Sequence, residues 1–188
     1  MKMLTFYDTC VIFPRLRLPF CLAENWTGTV LDILDGLAAE EYPAEDQLEI
    51  VLREDFIDAR TLRLFAVWCS RRAFELVHDP NPLIVTAVDV AERYANGDAT
   101  DDELAAARGA AWNVIDNGDK KQAKITVWGA ALSDAGDAAQ FAAKNAAWIF
   151  ACSEHCYIGW DAAIQQAWEA LASHLRKMLK ADATLVSA

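Results

Sequence analysis

Two cysteines and a histidine lie close together near the C-terminus, and these residue types can bind metals or act as nucleophiles. On a helix, Cys152, His155 and Cys156 would share one face and offer three ligands to zinc. A fourth ligand could come from His174 or Cys69, but nothing in the sequence places either one there. Structural zinc sites usually show two separated ligand pairs, and buried cysteines often act as small apolar residues. We therefore predict no metal and no cofactor, with a small metal-binding protein or enzyme as an alternative.

Motifs that mark common enzyme classes are missing from the sequence. There is no glycine-rich phosphate loop, no nucleophile elbow, no His-Glu-x-x-His and no calcium loop. A reactive thiol needs electropositive surroundings, and 17 Lys and Arg against 28 Asp and Glu give this chain a net charge of −11. The sequence therefore predicts a protein that acts by binding and has no catalytic residues.

Charge is the most informative feature of the sequence. Between Glu24 and Asp58 there are 11 acidic residues and one basic residue, Arg53. We interpret the dense part of this acidic stretch as a surface that binds a basic groove, because spaced carboxylates can imitate phosphates. A solvated face that maintains solubility is the alternative. The predicted protein-binding residues are Glu40, Glu41, Glu45, Asp46, Glu49, Glu54, Asp55 and Asp58.

The same charge limits the partners and the compartment. A chain this acidic is repelled by phosphate backbones, so we expect no direct binding of nucleic acid or of an anionic membrane. Five cysteines without paired spacing favour reduced thiols in the cytoplasm. Prolines and arginines interrupt the apolar run at the N-terminus, which argues against a signal peptide. No uninterrupted apolar segment is long enough for a transmembrane helix.

Local patterns predict an all-α fold, an antiparallel helical array or bundle with a short extended or β-hairpin N-terminal arm. The arm covers 1–24, and the helical domain covers 25–188, with helical spacing from Trp26 onward. Composition divides this domain into acidic helices (25–97) and alanine- and tryptophan-rich helices (98–188). Helix starts are predicted at three caps: Asp58, Asn81 followed by Pro82, and the capping box formed by Thr100 and Glu103. Four arginines at positions 60, 63, 71 and 72 share one helix and either pair with the carboxylates or form a separate patch.

Alanine is concentrated in the second half, where 24 of the 35 alanines lie from position 105 onward. Alanine favours helices and its small side chain lets them approach closely. We expect close helix packing, with aromatic residues filling the wider gaps. The tryptophans set into this background are Trp112, Trp128, Trp148, Trp160 and Trp168.

Several segments between 50 and 112 are together characteristic: REDFI (53–57), LFAVWCSRR (64–72), DPNP (79–82), AVDVAERYANG (87–97) and ATDDELAAAR (99–108). They resemble an uncharacterised alanine-rich helical family of bacteriophages and bacterial mobile regions, and are loosely similar to immunity-protein domains. The C-terminal segment departs from the more regular tails of that family. The resemblance implies no catalytic residues.

A phage-like scaffold with an acidic surface implies an inhibitor of a host defence complex, of the anti-CRISPR type. Such a protein would occlude or displace a basic surface on a host protein or nucleoprotein complex, such as a CRISPR effector, in the host cytoplasm. An immunity protein that neutralises a toxin is the alternative. The sequence does not indicate an oligomeric state.

Overall fold

A computed structural model describes residues 2–8, 25–76, 80–116 and 130–186, without the side chains of 114–116, 154–158 and 185–186. Two short strands come first, β1 (Leu4–Thr5) and β2 (Thr27–Gly28), and they pair antiparallel with Leu4 opposite Gly28. The remaining described elements are helices. This confirms the predicted all-α fold with a short N-terminal hairpin.

The second strand corrects the prediction that helical structure begins at Trp26. Helix α1 covers Val30–Ala39, and it begins at Val30 because Thr29 and Asp32 form a capping box. The Thr29 amide donates to the Asp32 carboxylate at 2.6 Å, and this hydrogen bond lowers the pKa of Asp32. Residues 9–24 of the predicted arm lie outside the described residues.

The next four helices follow the local signals closely. Helix α2 covers Ala44–Val51, α3 covers Ala59–Glu75, α4 covers Pro82–Ala95 and α5 covers Asp101–Asp116. Asp58 accepts a hydrogen bond from the Thr61 amide at 2.9 Å, and Asn81 accepts one from the Leu83 amide at 3.0 Å. Thr100 and Glu103 exchange the two hydrogen bonds of a capping box. All three predicted caps are therefore confirmed.

Two long helices complete the described chain, α6 (Ala135–Ile158) and α7 (Trp160–Val186). The only residue between them is Gly159, which has a φ of +85° that side-chain-bearing residues rarely adopt. This reversal lets α7 run back along α6, and α6 also packs on α3. No helix in the described ranges is long and apolar enough to span a lipid bilayer.

Alanine forms much of the buried surface of α6. Its fully buried positions recur in pairs along one face: Ala138, Ala139, Ala142, Ala143, Ala146 and Ala147. These small side chains pack in one core cluster with larger residues such as Phe65 of α3 and Leu171 of α7. The core includes residues from both compositional parts of the helical domain.

The tryptophans confirm only in part the expectation that aromatic residues fill gaps in the packing. Trp168 is buried, but Trp112, Trp148 and Trp160 are all more than a third exposed. None of these three tryptophans belongs to the described core cluster or to the partly buried residues packed against it. Trp148 and Trp160 instead contact each other edge to face at 6.2 Å between ring centroids. Trp128 lies outside the described residues.

Candidate protein-binding site

All eight carboxylates of the predicted site are exposed. Within the described residues, none of them forms an ion pair. Arg71 and Arg72 of α3 do not pair with them, since Arg71 pairs with Asp89 and Glu92, and Arg72 pairs with Glu75. These eight carboxylates therefore present their charge to solvent.

Four of the eight carboxylates have a role in the fold, because they lie at helix N-termini. Glu45 and Asp46 lie in the first turn of α2, whose N-cap, Pro43, makes no side-chain hydrogen bond. Glu54 accepts a hydrogen bond from the first amide of α6 at 3.3 Å, and Asp58 caps α3. Negative charge at these positions stabilises the helix, because it lies near the positive end of the helix macrodipole. Their presence needs no partner protein to explain it.

Two substitutions of Asp58 separate the contribution of its capping hydrogen bond from that of its negative charge. Asp58→Ala is expected to lower the free energy of unfolding by about 1 kcal/mol, because the Thr61 amide loses its acceptor. Asp58→Asn is expected to lower the free energy of unfolding by only a small part of that amount, since asparagine caps a helix nearly as well as aspartate. Urea denaturation of both variants tests this. Equal losses would show that the charge, and not the cap, stabilises α3.

Glu40 and Glu41 lie at the opposite end of a helix, where the fold disfavours them. They follow the last residue of α1, at the negative end of its macrodipole. The Glu41 amide donates to Ala38 and the Tyr42 amide to Leu37, which together form a Schellman motif. The motif places Glu41 at a φ of +59°, a left-handed conformation that costs most residues about 1 kcal/mol.

Helix α4 also ends in a Schellman motif, but its left-handed position is occupied by glycine, Gly97. The Gly97 amide donates to Tyr94 and the Asp98 amide to Arg93, and Gly97 has a φ of +81°. Glycine adopts this conformation without the steric cost of a Cβ atom. The chain thus has glycine at this position after α4 and glutamate after α1. Stability of the fold does not account for Glu41.

Glu49 lies in the last turn of α2, again at the unfavourable end of a helix. Together with Glu45 it lines a cavity of about 370 Å³, which we call the acidic cavity. The remaining wall comes from Leu48 of α2 and Leu52 just after it, from Asp137, Gln140, Phe141, Ala143 and Lys144 of α6, and from Leu132 and Trp168. Three carboxylates and one lysine thus lie beside an apolar floor.

This arrangement suits an arginine or lysine side chain from another protein. The methylene groups of such a side chain would cover the leucines and the aromatic rings, and its charged head would reach Glu45, Glu49 or Asp137. Sequence reasoning missed the α6 contribution. The available signal was the spacing of Asp137, Gln140 and Lys144, which places them on one helix face.

Arg63 has a different role from the other arginines of α3. It is 3% exposed, and its guanidinium donates to the carbonyls of Ala130, Leu132 and Ser133 at 2.7–3.1 Å. The guanidinium also lies 5.1 Å from the centroid of the Tyr94 ring. Burial lowers the pKa of Arg63. Arg63 therefore anchors the segment that precedes α6, including Leu132 of the acidic cavity, and is not part of a surface patch.

The cysteine and histidine candidates are only partly covered by the structure. Cys69 is fully buried in the core, and burial raises the pKa of its thiol, which keeps it neutral. Cys152 is half-buried, with its pKa raised for the same reason. The side chains of His155 and Cys156 lie outside the described part of the structure. Among the side chains that are described, no group of three His, Cys, Asp or Glu could hold a metal ion.

Comparison of the chain with family models, curated proteins and solved structures finds no match. The resemblance to alanine-rich phage proteins therefore remains a prediction. The acidic stretch and its cavity carry the chemistry that bears on function.

Proposed function

We propose that this chain is a non-enzymatic acidic binding protein that occupies the basic surface of a nucleic-acid-handling protein. The observation that carries this proposal is the placement of Glu40, Glu41 and Glu49 at helix C-termini. Each of these carboxylates opposes a helix macrodipole, and Glu41 also opposes its own backbone preference. Residues that lower stability without a structural benefit are often retained for function.

The mode of action follows from charge and shape. Carboxylates fixed on helix ends present a rigid set of negative charges, which accelerates encounter with a basic groove and competes with phosphates there. The acidic cavity would then receive one arginine or lysine of that groove, adding apolar contact to charge pairing. A protein working this way in the host cytoplasm would inhibit a defence complex, as an anti-CRISPR protein does.

Glu41→Gly separates stability from binding. Glycine removes the steric cost of the left-handed conformation and a charge at the negative end of α1. We expect the free energy of unfolding to rise by about 0.5 to 1 kcal/mol, while affinity for the partner falls. Urea denaturation and a binding titration of the same sample measure both. If Glu41→Gly is more stable than the wild type and binds the partner with the same affinity, Glu41 has no role in binding.

Affinity capture identifies the partner. The tagged chain is immobilised, exposed to a host lysate and washed at low salt and at about 0.5 M salt, where exposed charge pairs are screened. A parallel resin carries Glu40→Lys, Glu41→Lys, Glu49→Lys and Asp55→Lys together, which we call the reversed variant. A basic nucleic-acid-handling protein that only the wild type retains, and that salt releases, supports the proposal. Salt-resistant retention of a toxin by both resins would favour the immunity protein instead.

A further inference from the structure

A second cavity, of about 410 Å³, lies between α3, α6 and α7. Its wall includes Trp68, Arg72, Phe150, His174 and Lys177. We call it the basic cavity, because the described side chains that line it include an arginine, a lysine and a histidine and no carboxylate. The volume is within the range of cavities that bind small molecules.

The charge of this lining is opposite to that of the whole chain. Within the described residues Lys177 has no ion-pair partner, and Arg72 pairs only with Glu75 of its own helix. A cavity whose described lining holds two cations and no carboxylate attracts anions, even in a chain of net charge −11. The acidic cavity, with three carboxylates, repels them.

Flat aromatic surfaces form another part of the wall. The rings of Trp68 and His174 stack with 3.6 Å between centroids and 5° between planes. The Arg72 guanidinium lies 5.8 Å from the centroid of the Phe150 ring. Stacked rings and a guanidinium over a ring are surfaces on which a planar ring packs well.

His174 adds hydrogen-bonding capacity to the cavity. In the part of the chain that the structure describes, neither of its ring nitrogens has a hydrogen-bond partner, although the ring is half-buried. Burial and the neighbouring Lys177 lower the pKa of His174, so the imidazole is neutral near pH 7. A neutral imidazole offers one donor and one acceptor to a ligand.

We propose that the basic cavity binds a small organic anion with a planar aromatic ring. The ring lies against the aromatic wall, and the carboxylate, sulfonate or phosphate group lies between Arg72 and Lys177. This site is distinct from the acidic cavity and does not depend on the function proposed for it.

Two fluorescent probes test the proposal on the full chain. 8-Anilinonaphthalene-1-sulfonate carries a planar ring and an anionic group, and N-phenyl-1-naphthylamine is the same molecule without the sulfonate. We expect one sulfonate probe to bind per chain, at least about tenfold more tightly than the neutral probe, because only the anion reaches the two cations. Equal affinity for both probes would overturn the proposal.

Matched charge reversals locate the site. Lys177→Glu is expected to weaken sulfonate binding at least about tenfold and to leave the neutral probe unchanged. Lys144→Glu, the same change at the acidic cavity, is expected to affect neither probe. Circular dichroism confirms that both variants fold. Sulfonate binding that survives Lys177→Glu, or that is lost equally with Lys144→Glu, would refute the assignment.

Displacement of the bound sulfonate probe then identifies the source of the anion. Indole-3-carboxylate represents simple aromatic acids, and adenosine monophosphate represents nucleotides. Displacement by the first alone assigns the site to aromatic acids, and displacement by the second assigns it to nucleotides. Failure of both would contradict the proposal, since a site for planar anions must accept at least one.

Discussion

The reversed variant is expected to bind the captured partner at least about 100-fold more weakly than the wild type, a loss of about 3 kcal/mol. Its four positions are exposed and form no ion pair among the described residues. Glu45, Asp46, Glu54 and Asp58 are left unchanged, because they support helix N-termini and their loss would lower stability. The measured effect thus reports on binding.

A second variant with the same change in net charge provides the control. It reverses four exposed carboxylates outside the acidic stretch: Asp98, Asp102, Asp161 and Glu169. Two of them lie in first turns of helices, so this variant is expected to be the less stable of the two. It should nevertheless keep most of the affinity. Equal weakening of both variants would show that net charge matters and that the acidic stretch has no special role.

Replacing Arg63 with methionine is expected to lower the free energy of unfolding by about 3 to 5 kcal/mol. Methionine fills much of the space of the arginine methylene groups, but the three carbonyls before α6 lose their charged hydrogen-bond donor. Arg63→Lys should lose most of the same stability, because an ammonium cannot reproduce the planar fork of a guanidinium.

Arg60→Met provides the comparison on the same helix. Arg60 is exposed and donates one hydrogen bond, to Asn96 at 3.0 Å, so its loss should cost less than about 0.5 kcal/mol. Urea denaturation of the three variants measures the differences. An Arg63→Met variant within about 1 kcal/mol of the wild type would mean that the segment before α6 does not depend on this anchor.

The sequence predicted the features that depend on neighbouring residues. The caps at Asp58, Asn81 and Thr100 involve residues at most three positions apart, so spacing alone identifies them. The pairing of β1 with β2 joins segments more than 20 residues apart, and no local pattern marked Thr27–Gly28 as a strand. Because this strand and the capping box at Thr29 come first, α1 begins at Val30 and not at Trp26.

For the candidate site too, the sequence predicted what depends on neighbouring residues and not what depends on tertiary structure. The acidic residues were evident in the sequence, but their positions relative to helix ends were not. That information separates Glu40, Glu41 and Glu49 from the carboxylates that stabilise helices. The acidic cavity combines residues of α2, α6 and α7 that lie up to 123 positions apart, from Glu45 to Trp168. The packing of α2 against α7 and of α7 against α6 brings them together.

The central claim is that the acidic stretch occupies a surface that nucleic acid would otherwise bind. The most direct test loads the captured partner with fluorescently labelled nucleic acid and titrates in the chain. We predict complete displacement of the label by the wild type, weaker at high salt and absent with the reversed variant. Simultaneous binding of the chain and the nucleic acid, with the label unmoved at saturation, would contradict the claim.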